Sequence, residues 1–173
     1  RFFRICQGDT RFFFFFASQK RAGKIDNRGD SGYNIGMKRN YENEMIATMQ
    51  TLEKGTKLLL HSCCAPCSSA CLERLKDTFE ITVLYYNPNI SPKEEYDLRA
   101  DEIKRISGNF QNKIKYIICD YSPESFFIIA KGLEKEPEGG ERCEKCYKLR
   151  LKKKKKIAQK DGYDYFTTTL SIS

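Results

Sequence analysis

The 173-residue chain contains no apolar run approaching the ~20 residues that a membrane-spanning helix needs. A helical span is excluded, and no membrane partner is expected. Segment 63–69 contains no glycine, although backbone needs glycine to approach a phosphate closely. ATP and dinucleotide binding therefore lack their usual loop. With a single histidine, His61, no Ser-His-Asp set can be assembled. No secretory leader is recognisable, because the apolar run at 12–16 is short and no small-residue cleavage site follows it. Acidic residues are in deficit, 23 against 31 Lys and Arg, and the resulting +8 permits a polyanionic partner.

What is present suffices for one domain with its own core. Strand-like and amphipathic stretches recur from residue 37 onward, which argues against disorder there. Residues 1–36 differ from the rest. They hold seven of the twelve Phe and seven basic against three acidic residues, then a Gly-, Asn- and Asp-rich stretch without period. Met37 opens a new composition. Residues 1–36 are therefore expected to be a disordered or non-native extension, and 37–173 the functional domain.

From Met37 the chain alternates helix and strand. Residues 41–52 read as a helix and 57–61 as a strand buried on both faces. A helix is expected from Pro66, with Cys71, Leu75 and Phe79 on one face. Residues 81–86 form a β-branched and aromatic strand, which Asn87-Pro88-Asn89 stops. Ser91-Pro92-Lys93-Glu94 has the pattern of a capping box for a helix to about Ser107, and Ser122-Pro123 opens another in the same manner. Strands are expected at 115–119 and 165–169, with a basic helix to about Lys160 between them. This order predicts an α/β fold: a parallel sheet with helices on both faces, Rossmann-like or HUP-like, its site at the C-terminal edge of the strands.

Cysteine placement carries the chemistry. Cys63, Cys64, Cys67 and Cys71 cluster directly after the first strand, and Cys143 and Cys146 follow about 75 residues later. Two tight groups in a Lys-rich chain indicate a reducing, cytoplasmic setting and a metal or redox site rather than a disulfide scaffold. Cys64-Ala65-Pro66-Cys67 and Cys143-Glu144-Lys145-Cys146 both have the Cys-x-x-Cys spacing that lets two sulfurs reach one centre. Tetrahedral zinc and an iron–sulfur cluster both fit. Iron–sulfur is favoured because the pairs flank a whole α/β layer and Cys63 is surplus to a zinc site. The helix dipole at Pro66 is also expected to lower thiol pKa and stabilise an anionic cluster. Cys71, on an apolar face, and Cys119, at a strand end, read as core thiols.

His61, beside the cluster, suits either a proton donor or a packed orienting residue. The lysine run 152–156 circles its helix. Either it is a solvated face or part of it tracks phosphates, with Tyr147 and Arg150 supplying stacking and charge.

The string 58–69, Leu-Leu-Leu-His-Ser-Cys-Cys-Ala-Pro-Cys-Ser-Ser, closely resembles the opening motif of QueH-type epoxyqueuosine reductases. Tyr85-Tyr86-Asn87-Pro88-Asn89-Ile90, Asp120-Tyr121, Gly139-Gly140-Glu141-Arg142-Cys143 with Cys146-Tyr147, and the stretch 164–173 are similar too. The resemblance implies an oxidoreductase of tRNA processing that reduces epoxyqueuosine to queuosine at the wobble position. It implies a [4Fe-4S] cluster on Cys63, Cys64, Cys143 and Cys146, and an additional iron near Cys67, which with His61 is the candidate catalytic residue. The partners implied are a tRNA carrying epoxyqueuosine and an unidentified electron donor. Arg150, Lys152, Lys153 and Lys156 are the candidate RNA contacts. Members of that family continue past the position of Ser173, so a C-terminal truncation is expected. The competing reading is a zinc-stapled RNA-binding module without catalysis.

Overall fold

The computed structural model describes residues 17–18, 41–110 and 114–170. Its elements are β1 (Ala17–Ser18), α1 (Tyr41–Gln50), β2 (Thr56–Ser62), α2 (Ala65–Leu75), β3 (Phe79–Tyr85), α3 (Lys93–Asn109), β4 (Lys115–Ile118), α4 (Glu124–Ala130), α5 (Glu141–Lys160) and β5 (Tyr165–Thr168). The expectations for 1–36 lie outside the described residues, apart from β1. The same holds for 171–173.

β2 sits inside the sheet, parallel to both β3 and β5, and β4 extends the parallel order beyond β3. β1 pairs antiparallel on the outer edge of β5. Successive strand residues point to opposite faces, so three consecutive leucines serve two cores. Leu58 and Leu60 pack with Ile81, Val83, Tyr85 and residues of α1, α2 and α3. Leu59 points the other way, to Leu84, Tyr86 and Ala158 of α5. The expected α/β sheet covered on both faces is therefore present.

Two local expectations fail. Ser91 and Ser122 do not cap their helices; the flanking residues are Pro92 and Pro123, with no side-chain cap bond. Each helix begins one residue later than the capping-box pattern requires, which moves Glu94 away from the reciprocal position. Glu94 and Glu95, and Glu124, instead complement the positive ends of α3 and α4. The basic helix was also expected to follow Cys143 and Cys146, and α5 instead begins at Glu141 and contains both.

The inward stripe of α5 is set by four-residue steps through Cys146, Arg150, Lys154 and Ala158. Lys154 is 1% exposed, with its ammonium 5.1 Å from the Phe166 ring centroid. The lysine run therefore has one buried member. Burial pulls the Lys154 pKa down to about 7. Between pH 7 and the ordinary lysine range the unfolded chain binds more protons, so this group makes stability rise with pH. Lys154→Met should be the more stable protein at pH 6.5, with the gap narrowing as pH rises toward 9.5. Thermal melts across that range check it, and a gap that stays constant or widens refutes it.

Candidate metal centre and adjoining cleft

β2 ends at Ser62, and the chain turns at Cys63 into α2, whose N-cap is Cys64 in extended backbone. This turn places the sulfurs of Cys63, Cys64 and Cys67 within 4.8 Å of one another. Those of Cys63 and Cys64 are 3.7 Å apart. Three soft donors so close can bind a metal ion.

The supporting bonds come from three strand ends. Cys63 N–H donates to Thr169 Oγ1 at 3.3 Å, and the same hydroxyl lies 3.5 Å from Cys63 Sγ. The hydroxyls of Ser62 and Ser68, 2.5 Å apart, both reach the Cys64 carbonyl, at 3.2 and 2.8 Å. Asn87, just past β3, donates from Nδ2 to Ser62 O at 2.9 Å.

As free thiols Cys63 and Cys67 hold their protons. Burial pushes Cys63 up, with the Thr169 hydroxyl pulling against it. Burial also pushes Cys67 well up, and the adjacent sulfurs add to it. The expected lowering by the α2 dipole is thus outweighed at Cys63 and Cys67, where burial removes more solvation than one helix end returns. Metal binding must then expel protons, so affinity rises with pH.

Cys71 is one turn further along α2. Its thiol donates to Cys67 O at 3.3 Å, lies in the larger core, and is pushed by burial up to about 12. Cys119 is half-buried against the Leu59–Leu84 cluster, and burial raises its thiol too. Both stand where core thiols were expected.

His61 is fully buried. Nε2 lies 2.9 Å from the Tyr86 carbonyl, which can only accept, so this nitrogen carries the proton. Nδ1 then accepts from the Thr168 hydroxyl at 3.0 Å. Burial drops its pKa to about 3, so the ring is neutral with both nitrogens engaged. Of the two roles that the sequence allows, this geometry fits orientation.

Gly139 and Gly140 form the turn into α5. Gly139 has φ +82°, and a Cβ on Gly140 would sit 2.7 Å from Glu136 Oε2 and 3.0 Å from the Pro137 carbonyl. Cys143 and Cys146 follow at helical spacing, half-buried and buried respectively, and are not in the group of three within 4.8 Å. Burial raises the Cys146 thiol, and the Arg150 guanidinium opposes it. The two cysteines line an open cleft of about 870 Å³ with Asn89, Phe126, Tyr147 and Arg150.

Arg150 donates from Nη1 to Asn87 Oδ1 at 3.3 Å, so part of the guanidinium expected to face phosphates is directed inward. Lys152, Lys153 and Lys156 are exposed, and none pairs with a carboxylate among the described residues. Lys145 and Lys148, nearer the cysteines, do pair, with Glu141 at 2.9 Å and Glu144 at 2.6 Å. Sequence reading missed Asn87 and Thr169 as functional residues. The available signal was a polar side chain at a strand's C-terminal end, where this fold places its sites.

Cadmium titration of the reduced, chelator-treated chain checks the centre. Sulfur-to-metal absorption should fall in each of Cys63→Ser, Cys64→Ser and Cys67→Ser and stay unchanged in Cys71→Ala. Unaltered absorption in the first three would remove the site.

Residues 58–173 match a family model described as epoxyqueuosine reductase QueH. An epoxyqueuosine reductase QueH of Staphylococcus epidermidis is 46% identical over 123 residues, covering 68% of this chain and 52% of that protein. One from Streptococcus pyogenes serotype M1 is 39% identical over 147 residues, covering 81% and 58%. One from Haemophilus influenzae is 46% identical over 118 residues, covering 68% and 47%. The chain spans about half the length of these curated relatives.

Proposed function

The chain belongs to the epoxyqueuosine reductase QueH family, and on that premise we propose that it reduces epoxyqueuosine to queuosine at the wobble position of tRNA, the last step of queuosine synthesis. The observation that carries this reading is the cysteine centre at the sheet's C-terminal edge beside an open cleft.

Removing an epoxide oxygen takes two electrons, which side chains cannot supply catalytically. The donor set fits a thiolate-bound iron group: three sulfurs within 4.8 Å after β2, and two more on the helix tied to that edge through Asn87. Cys63, Cys64, Cys143 and Cys146 would hold a [4Fe-4S] cluster, with Cys67 left for an additional iron. When bound, such a group supplies electrons and a Lewis-acidic position for the epoxide oxygen.

The remaining roles fall to the chain's own residues. His61, neutral and doubly bonded, fixes the end of β2 against Tyr86 and Thr168 and so orients Cys63 rather than donating to substrate. The cleft has the size of sites that enclose a small ligand. Its aromatic Phe126 and Tyr147 suit a base splayed from an anticodon loop. Lys152, Lys153 and Lys156 extend a cationic track beyond it for the flanking phosphates. Electrons come from a separate donor, and the expected setting is the cytoplasm.

Anaerobic purification followed by iron and sulfide analysis tests the cofactor. A brown protein whose charge-transfer absorption is mostly lost in a Cys143→Ser, Cys146→Ser double variant is expected. Full iron and sulfide in that variant would sink the ligand assignment. Colourless protein with stoichiometric zinc and no turnover would instead establish a zinc-stapled RNA-binding module.

The RNA surface has its own test. Replacing Lys152, Lys153 and Lys156 with Gln should weaken tRNA binding and flatten its salt dependence, by about 0.7–0.9 in log–log slope for each phosphate no longer neutralised. Metal content should not change. An unaltered affinity and slope would assign these lysines to a merely solvated face.

A further inference from the structure

The two cysteine groups stand on elements far apart in sequence, yet one centre requires them in register. The structure contains a direct link between them. Arg150 lies one helical turn beyond Cys146, on the same inward stripe of α5. Its Nη1 donates to Asn87 Oδ1 at 3.3 Å, and Asn87 Nδ2 donates to the Ser62 carbonyl at 2.9 Å. Ser62 is bonded to the next residue, Cys63. Asn87 is 1% exposed, so its amide has no competing solvent on either side. Both hydrogen-bonding ends of that amide are used, one toward each cysteine group.

A second observation concerns the guanidinium. Arg150 Nε is buried and has no hydrogen-bond partner among the described residues. A buried unpaired donor is unfavourable until an acceptor receives it, and a cationic guanidinium bonds most strongly to an anionic one. Arg150 lines the cleft together with Cys143 and Cys146 and its guanidinium acts on the Cys146 thiol, so the recipient nearest at hand is thiolate sulfur or an anionic centre held by it.

We propose that Arg150 and Asn87 form a clamp that sets the spacing between the α5 cysteines and the Cys63–Cys64 turn, with the free Nε–H of Arg150 reserved for the anionic sulfur assembled there. Both are positioning residues: they act through the cysteines and touch no reacting atom. The inference rests on the reading that Cys143 and Cys146 join the centre. Bonds of this kind, behind the ligands, fix ligand orientation, and their loss typically weakens metal binding about 10–100-fold.

The test uses the full chain, reduced and stripped by a chelator, titrated with cadmium alone against a competing chelator. The readouts are affinity and the number of thiolates bound, from sulfur-to-cadmium absorption, with the melting temperature of the stripped protein as a folding control. Asn87→Ala and Arg150→Met should each weaken binding about 10–100-fold and lower the thiolate number. The double variant should be no worse than the worse single one, because either break opens the same clamp. Asn87→Asp keeps the acceptor for Arg150 but loses the donor to Ser62, so it should fail like Asn87→Ala. The melting temperature of the stripped protein separates this loss from a general packing defect, and the variant serves equally where Asn87→Ala does not fold. Wild-type affinity and thiolate number in Asn87→Asp and Arg150→Met would overturn the clamp, even where Cys143→Ser and Cys146→Ser lose a thiolate each. Should those two serine variants lose none, the α5 ligand reading falls, and the clamp with it.

Discussion

Strand β2 bears the organisation of the whole domain. It is hydrogen-bonded on both edges and buried on both faces, and its consecutive leucines divide the interior between helices on either side. A strand so enclosed cannot shift register without turning Leu59 and Leu60 into the wrong cores. Cys63 follows that strand immediately, and its position is inherited from apolar packing below. The turn that gathers the three sulfurs is a by-product of a well-determined core.

Helix α5 shows a different balance. Its inward stripe carries a thiol and two cations before it reaches Ala158, where an ordinary helix would present apolar residues. Arg150 is partly satisfied by Asn87, and Lys154 by the face of Phe166. Burying cations beneath a helix costs stability. For Arg150 the location explains why such a cost is tolerated, because its guanidinium acts on the Cys146 thiol one turn away. Positive charge held under a thiolate site stabilises the anionic form that binds metal.

The fold was legible because its signals were periodic and local. The apolar run at 58–60, the β-branched strand ending at Tyr85, and the interposed helices each carried their own pattern. Helix starts were less legible, since a cap is a contact and not a composition. Ser91 and Ser122 have the right chemistry but stand one residue too far out. Cys63, Cys64 and Cys67 could be read as one group because a single turn contains them. The place of Cys143 and Cys146 relative to that turn depends on how α5 packs across the sheet, which no local pattern records. Lys154 failed for the same reason. Within five like residues, only the tertiary fold selects which one goes inside.

The two cysteine groups also differ in how firmly they are held. Cys63 follows the central strand directly and is tied to Thr169 beyond β5. The Cys143 side stands in the first turns of a helix entered through a Gly139–Gly140 turn, on the rim of an open cleft. Helix ends fray at far lower free energy than central strands exchange their amides. Under the ligand set proposed above, a metal group would arrive and depart by way of α5 while the β2–α2 turn stays in place. Hydrogen exchange should accordingly be slow along β2 up to Ser62 and fast around Glu141, a fixed jaw facing a moving one.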